Sequence, residues 1–425
     1  MRRLDAIVVG AGPAGSVAAL VLARGGARVA LVDRRAFPRA KACGDLIGPR
    51  GVRLLAELGI HVPDAGRLGD MVVIGPSGRK ILLPALPGAS YADHALAVPR
   101  EKFDALLFEA AVAAGARPVH ARVSGLHHGH ERADGVRLAG GADIRADVVI
   151  GADGATSQIA QDAGLVDPAR VLWGFALRGY ADAAVDLPHI ALWEPRRWRL
   201  FPGYGWIFPV PGGPANIGLG LGLRAYRGAS RRAGEQLDAF LSHLRRHGLL
   251  PSGRPADGPP MPRLGGWLKL GMVGTTPAGP GVLLVGDAAG LVNPLQGEGI
   301  AQAMASGHAA AEAILAQGPD GAGHQYRRYL HTAALHHRAN APVHAGMVRY
   351  PLAVSAAGRI LTAPVIRSAA AGAWGLYWND LAFDALPGRP SRLAKGLTHI
   401  AAAAGSRSDS AKWFARQFAD LERTR

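Results

Sequence analysis

Cysteine is almost absent from this chain: Cys43 is the only one in 425 residues. One thiol cannot close an internal disulfide, fill a four-cysteine zinc site or ligate an iron–sulfur cluster. A disulfide-stapled secreted scaffold is therefore excluded, and a reducing, cytoplasmic setting is expected. Lysine is scarce too. Only six of the 48 basic residues are lysines (Lys41, Lys80, Lys102, Lys269, Lys395 and Lys412), the rest being arginine. Long apolar runs are also missing. The run Ala6–Val9 is broken by Gly10, Gly12 and Pro13, too soon for the core of a signal peptide. The longest apolar stretch toward the C-terminus, Ser368 to Trp378, falls short of the roughly 20 residues a spanning helix needs. Any membrane contact is expected to be peripheral, at the inner face. Neither an internal repeat nor a low-complexity linker is visible.

What is present is an ordinary globular balance, 49% hydrophobic and 19% charged, which excludes a disordered or fibrous chain. The length suits two or three domains, or one large α/β body with an insertion. The net charge is +16. A basic surface attracts anionic lipid, phosphorylated substrates or nucleic acid, but the Ala, Gly and Arg richness reads as compositional bias. No nucleic-acid partner is expected; the oligomeric state is not readable.

The first 35 residues read as strand, glycine turn, helix, strand. Ala6–Val9 is an apolar strand, Gly10-Ala11-Gly12-Pro13-Ala14-Gly15 the turn, Ser16–Arg24 a helix, and Arg28–Val32 a second strand ending at Asp33. This is the dinucleotide fingerprint in its full context. Gly10 permits the turn, Gly12 removes a side chain where a pyrophosphate must approach, and Gly15 lets helix and strand pack closely. The helix N-terminus offers its positive dipole end, and Asp33 can accept from a ribose hydroxyl. Two more strands end in glycine plus acid: Asp147–Ile150 before Gly151-Ala152-Asp153-Gly154, and Gly281–Val285 before Gly286-Asp287. Ligands of open α/β sheets lie outside the carboxyl ends of the strands, so three such ends suit one extended ligand.

Elsewhere, Val98–Leu107 looks like a strand end and a helix N-terminus. Residues 119–150 read as a meander of strands turning at Gly129, Gly135 and Gly140-Gly141. Residues 170–275 read as a β-rich insertion. In it Tyr204, Trp206 and Phe208 alternate and so share one strand face, forming either a plain core or a cavity wall. Beyond residue 331 the chain is Ala-rich with helical spacing. His127-His128-Gly129-His130 and the set His331, His336, His337 and His344 lack ligand spacing, so no metal site is expected.

Together the sequences GAGPAG, GADGATS and VGDAAGLVNPLQGEGI resemble the FAD-binding set of the flavoproteins that include aromatic hydroxylases, flavin halogenases and geranylgeranyl reductases. Phe37-Pro38-Arg39-Ala40-Lys41-Ala42-Cys43-Gly44-Asp45 resembles the Lys-x-Cys-Gly loop of geranylgeranyl reductases. Pro202-Gly203-Tyr204-Gly205-Trp206-Ile207-Phe208-Pro209 resembles their substrate-cavity motif, and Gly218-Leu219-Gly220 its continuation. The resemblance is to the geranylgeranyl reductase family; it spans most of the chain and weakens after about residue 330.

The resemblance implies an α/β fold: a Rossmann-like FAD-binding domain in three parts (1–75, 98–168, 276–330), an inserted mixed β-sheet substrate domain (76–97 and 169–275), and a C-terminal helical region (331–425). It implies that Gly10, Gly12, Pro13, Ala14, Gly15, Asp33, Arg34, Cys43, Gly44, Arg100, Val123, Asp153, Gly154, Gly286, Asp287, Pro294, Gly297, Gly299 and Ile300 hold FAD. Arg100 would lie along the pyrophosphate, Asp287 on the ribityl chain, and Gly297–Ile300 at a helix end favouring an anionic reduced flavin. Tyr204, Trp206 and Phe208 would line the substrate cavity, with Trp173, Trp193 and Trp198 as further wall. Cys43, Tyr204 and Trp206 would serve the chemistry, with Lys41 as the basic neighbour of the thiol. The implied reaction passes a hydride from reduced flavin N5 to one alkene carbon of an isoprenoid or prenylated substrate, and a proton to the other. NADPH or reduced ferredoxin would be the transient electron donor. The alternative is an FAD monooxygenase or halogenase acting on a small aromatic or natural-product scaffold. Against it, Ser157-Gln158-Ile159-Ala160 lacks the hydroxylases' arginine, the halogenase tryptophan motif is absent, and Lys41 and Lys80 read as surface lysines rather than a halogenating one.

Overall fold

A computed structural model describes residues 3–83, 92–192, 203–223, 229–251, 261–333 and 351–363, with isolated positions 341, 416 and 421. The chain opens with β1 (Leu4–Val9), α1 (Pro13–Arg24) and β2 (Val29–Asp33). Pro13 begins α1 at a position where a missing N–H costs nothing, and Gly25 caps its end. Next come β3 (Leu46–Ile47), α2 (Pro49–Glu57), β4 (Gly66–Leu68), β5 (Met71–Ile74), β6 (Lys80–Leu83), β7 (Ala95–Ala97) and α3 (Arg100–Ala113). β8 (Arg117–His120) follows and pairs with β2, and the meander expected over 119–150 is β9 (Val123–His128), β10 (Ala133–Leu138) and β11 (Asp143–Gly151), followed by α4 (Gln158–Asp162). Gly135 is not a turn, as the sequence suggested. It lies inside β10 at a register shift, where a Cβ would stand 2.2 Å from the Ile144 carbonyl.

The second half holds β12 (Leu172–Ala181), β13 (His189–Ala191), β14 (Gly203–Val210), β15 (Gly213–Leu223), α5 (Ala229–Arg246), β16 (Leu264–Leu270), β17 (Ala278–Gly279) and β18 (Val282–Leu284). α6 (Ile300–Ala333) is broken at Gly318–Pro319, and α7 (Pro351–Leu361) follows.

Two large sheets organise these elements. The first orders its strands β17-β18-β11-β1-β2-β8, with β10 and β9 continuing from β11. β1 runs parallel to both β2 and β11, α1 packs on it and is itself covered by α3 and α6, and its residues from Ala6 to Val9, all apolar, are buried. The second sheet orders β16-β12-β15-β14-β13-β5-β6. It begins at Met71, ahead of residue 76, and β7 pairs instead with β3 and β4 in a small third sheet. One face of the second sheet packs Ile207, Ile217 and Leu219 on Leu237, Phe240 and Leu244 of α5. Its other face carries Trp206, Phe208, Ile190 and Val73. Among the described residues no helix is long and apolar enough to cross a membrane. Trp193, Trp198, His336, His337, His344 and nearly all of the expected C-terminal region lie outside the described residues.

Candidate active site

A cavity of about 580 Å³ lies where the carboxyl ends of β1, β2 and β11 face the second sheet. Its lining brings together Gly10, Gly12, Pro13, Asp33, Arg34, Cys43, Gly44, Arg100, Val123, Asp153, Gly154, Asp287, Gly297, Gly299 and Ile300 with Tyr204, Trp206 and Phe208. Residues more than 250 positions apart in sequence thus share one space. Four of the expected residues stand behind the wall. A Cβ on Gly15 would sit 1.8 Å from the Gly10 carbonyl, and one on Gly286 would meet Ala14 at 3.0 Å, while Pro294 packs near Gly271. They set how closely the backbone layers approach.

The acids do more local work than the sequence suggests. Asp33 accepts from the Ala11 N–H at 2.8 Å and the Arg35 N–H at 2.9 Å, tying the glycine turn to the end of β2. Asp153 accepts from the Gln158 and Ile159 N–H groups and from the Ser157 hydroxyl, so it caps α4. Burial pushes its carboxyl up, against the pull of those hydrogen bonds.

Arg100 is buried and held bidentately by Asp104, at 2.7 and 2.9 Å. Burial works against its charge, but the Asp104 carboxylate offsets this and its pKa is raised; Cys43 is also within interaction range. The cation beside Cys43 is therefore Arg100. Lys41, proposed from sequence for that place, lies 3.9 Å from Asp287. Tyr204 donates to the Gln296 carbonyl at 2.5 Å; burial first, then Cys43 and Glu298, push its phenol up. Trp206 stacks on Phe208 with ring centroids 6.1 Å apart. Trp173 meets Trp267 edge to face, and it is Trp267 that reaches the cavity.

Several residues of the site have no role assigned from the sequence, although Arg39 and Asp45 lie within the Phe37–Asp45 loop. Arg39 lies 3.6 Å from Asp33 and 3.3 Å from Asp104, with Phe37 under its guanidinium. Its Nη2 is 3.8 Å from where a Gly12 Cβ would be, and its buried Nε has no hydrogen-bond partner. A side-chain-free turn at a helix N-terminus, beside a guanidinium that keeps one N–H unpaired, fits a pyrophosphate. Asp45 and Asn216 sit behind Cys43 and Trp206. Lys269 is buried and donates to the Ala288 carbonyl at 2.6 Å, beneath the Gly286–Ala289 turn. No cluster able to hold a metal occurs among the described residues.

Residues 3–172 match the family model described as FAD binding domain, which makes the glycine cradle and the apolar aromatic wall beside it those of a flavoprotein. Within that class the chain belongs to the geranylgeranyl reductase family of FAD-dependent oxidoreductases. It is 36% identical over 324 residues to the menaquinone reductase of Mycolicibacterium smegmatis, covering 74% of this chain and 77% of that one. It is also 36% identical over 323 residues to digeranylgeranylglycerophospholipid reductase 2 of Methanopyrus kandleri, covering 72% and 76%. The geranylgeranyl diphosphate reductase of Rhodobacter capsulatus is 34% identical over 332 residues, covering 74% and 75%. Among solved structures, a geranylgeranyl bacteriochlorophyll reductase-like protein from Thermoplasma acidophilum superposes with a TM-score of 0.69 at 22% identity, covering 99% of both chains. A flavin-dependent brominase superposes with a TM-score of 0.68 at 18% identity, covering 96% and 100%. At such identities the likeness speaks to the fold, and the fold alone does not choose a reaction.

Proposed function

We propose that this protein reduces carbon–carbon double bonds in an isoprenoid chain carried by a lipid, a quinone or a prenyl diphosphate. The observation that carries this reading is the aromatic stripe Tyr204, Trp206 and Phe208 on one face of β14, set against Cys43 and Gly44 in the cavity that the glycine cradle opens into. A Cβ on Gly44 would stand 2.8 Å from Phe208, so loop and stripe are in direct contact. That wall suits an apolar chain and excludes water from it. The cradle residues Gly10, Gly12 and Asp33, together with Arg39, would hold the FAD pyrophosphate and adenosine. FAD, once reduced, supplies the hydride. Cys43, with the Arg100 guanidinium beside it, is the proton source for the second alkene carbon. Tyr204, anchored on the Gln296 carbonyl, holds the wall at that end. NADPH or reduced ferredoxin would restore the electrons.

The test is anaerobic turnover of dithionite-reduced enzyme with prenyl lipids, menaquinone and prenyl diphosphates, read by mass spectrometry. A gain of two hydrogens per reduced bond is expected. No reduced product under these conditions, with hydroxylated or halogenated product formed once oxygen and halide are admitted, would replace the reading with a monooxygenase or halogenase.

The protein would meet such substrates at an anionic bilayer. Supporting this, the β5–β6 end of the second sheet exposes Arg79, Lys80 and Leu82, and α7 exposes Leu352 (83%), Arg359 and Ile360 (60%). Gly358 of α7 lies against Pro76 in the β5–β6 connection, so these residues lie in one region.

A further inference from the structure

The loop from Lys41 to Asp45 and the stripe on β14 are tied together by a residue that belongs to neither. Asn216 lies on β15, opposite Phe208 of β14 and Tyr180 of β12. It is fully buried. Its Oδ1 accepts from the Trp206 indole N–H at 2.8 Å, and its Nδ2 donates to the Cys43 carbonyl and to Asp45 Oδ2, each at 2.8 Å. An indole N–H only donates and a carbonyl only accepts, so the amide has one orientation that satisfies all its neighbours. Asp45 is buried with a φ of 62°, in the left-handed region non-glycine residues avoid. It is held there by the Arg100 N–H at 3.1 Å, by Asn216 and by the Tyr180 hydroxyl. Arg178 of β12 adds an anchor, donating to the Lys41 carbonyl at 3.2 Å.

The second sheet thus grips alternate carbonyls of this loop, at Lys41 and Cys43, and the carboxylate at Asp45. Fixing the Cys43 carbonyl fixes the backbone from which the thiol reaches Arg100 and Tyr204, which line the same cavity. The same amide fixes the indole ring of Trp206. We infer that Asn216, with Asp45, is a positioning residue that sets the Cys43 thiol and the Trp206 wall in one geometry. Substrate contact and proton delivery are then adjusted together. The inference rests on the role proposed for Cys43, but its readout does not require the prenyl reaction.

Because Cys43 is the only cysteine, iodoacetamide alkylation of the FAD-loaded protein reports on that thiol alone. In Asn216→Leu the FAD content should stay at wild-type level. The alkylation rate should rise at least fivefold as the carbonyl anchor is lost, and kcat should fall more than KM changes. Trp206→Phe should also speed alkylation, because it leaves the Asn216 Oδ1 without its donor. The double variant should be no faster than the faster single variant, since both act through one amide. An alkylation rate within twofold of wild type or slower in Asn216→Leu, or multiplied effects in the double variant, would overturn the inference. If Asn216→Leu does not fold, Tyr180→Phe applies the same test through Asp45, with at least a twofold rise expected and no rise overturning it. Altered alkylation without any prenyl reduction would leave the positioning role standing and remove the proposed reaction.

Discussion

At the scale of single residues, glycines differ sharply in what they permit. A Cβ on Gly15 would lie 1.8 Å from the Gly10 carbonyl, whereas one on Gly26 meets nothing within 4 Å and is disfavoured only by a φ of 81°. Gly15→Ala should therefore force α1 away from β1 and lose most bound flavin, seen as lost visible absorbance after purification. Gly26→Ala should keep its flavin and cost only about 1 kcal/mol in a denaturant melt. Lys269 gives a pH signature. Burial drags its ammonium down to about 8, opposed by Asp153 and Asp287. The unfolded chain holds that proton until about pH 10.4, so between these values the unfolded state binds more protons and stability rises with pH. Below about pH 8 the cost of the buried charge is fully present. Lys269→Met should flatten this rise, worth on the order of 3 kcal/mol, in urea melts compared at pH 7 and pH 10. Gly12 and Asp33 were legible as cavity residues because the fingerprint is local. Asn216, Arg39 and Lys269 were not, since each gets its partners from elsewhere: Asn216 lies 173 positions from Cys43.

At the scale of elements, the two faces of β14 are packed by opposite means. Toward α5, Gly205 leaves room for the Phe240 ring, where a Cβ would stand 2.2 Å away. Toward the cavity, Trp206 lies across Gly218 of β15, which a Cβ would bring within 2.2 Å of the indole. Gly218→Val should tilt the indole off Asn216, shift the tryptophan fluorescence and cost about 1–3 kcal/mol by overpacking. The alternation of Tyr204, Trp206 and Phe208 predicts their shared face from sequence, because a strand has a period of two. What that face meets depends on strand order, which alternation does not carry. Gly135 shows the converse: glycine suggested a turn, but the same lack of a side chain serves a close strand crossing.

At the scale of the whole molecule, the excess of 48 basic over 32 acidic residues meets apolar exposure at the β5–β6 end and α7. Co-sedimentation with phosphatidylglycerol vesicles should be strong at low salt and weak with phosphatidylcholine. Leu352→Glu with Ile360→Glu should reduce binding at least tenfold and leave flavin content unchanged. The division into a nucleotide-binding sheet and an inserted second sheet was readable because each return to the first sheet announces itself with glycine and acid at a strand end. The order of strands within the second sheet was not, since its pairings join β5 to β13 across more than a hundred residues.

The central strand β1 lies between β2, which follows at once, and β11, which is in turn completed by β18. During synthesis, the first sheet therefore waits for the second to emerge before β18 can close its edge. Until then Val149–Gly151 of β11 offers an open backbone edge to any passing strand, and such long-range pairing forms slowly. A copy ending before β18 should therefore keep that edge unpaired, and should aggregate or be proteolysed faster than the full chain.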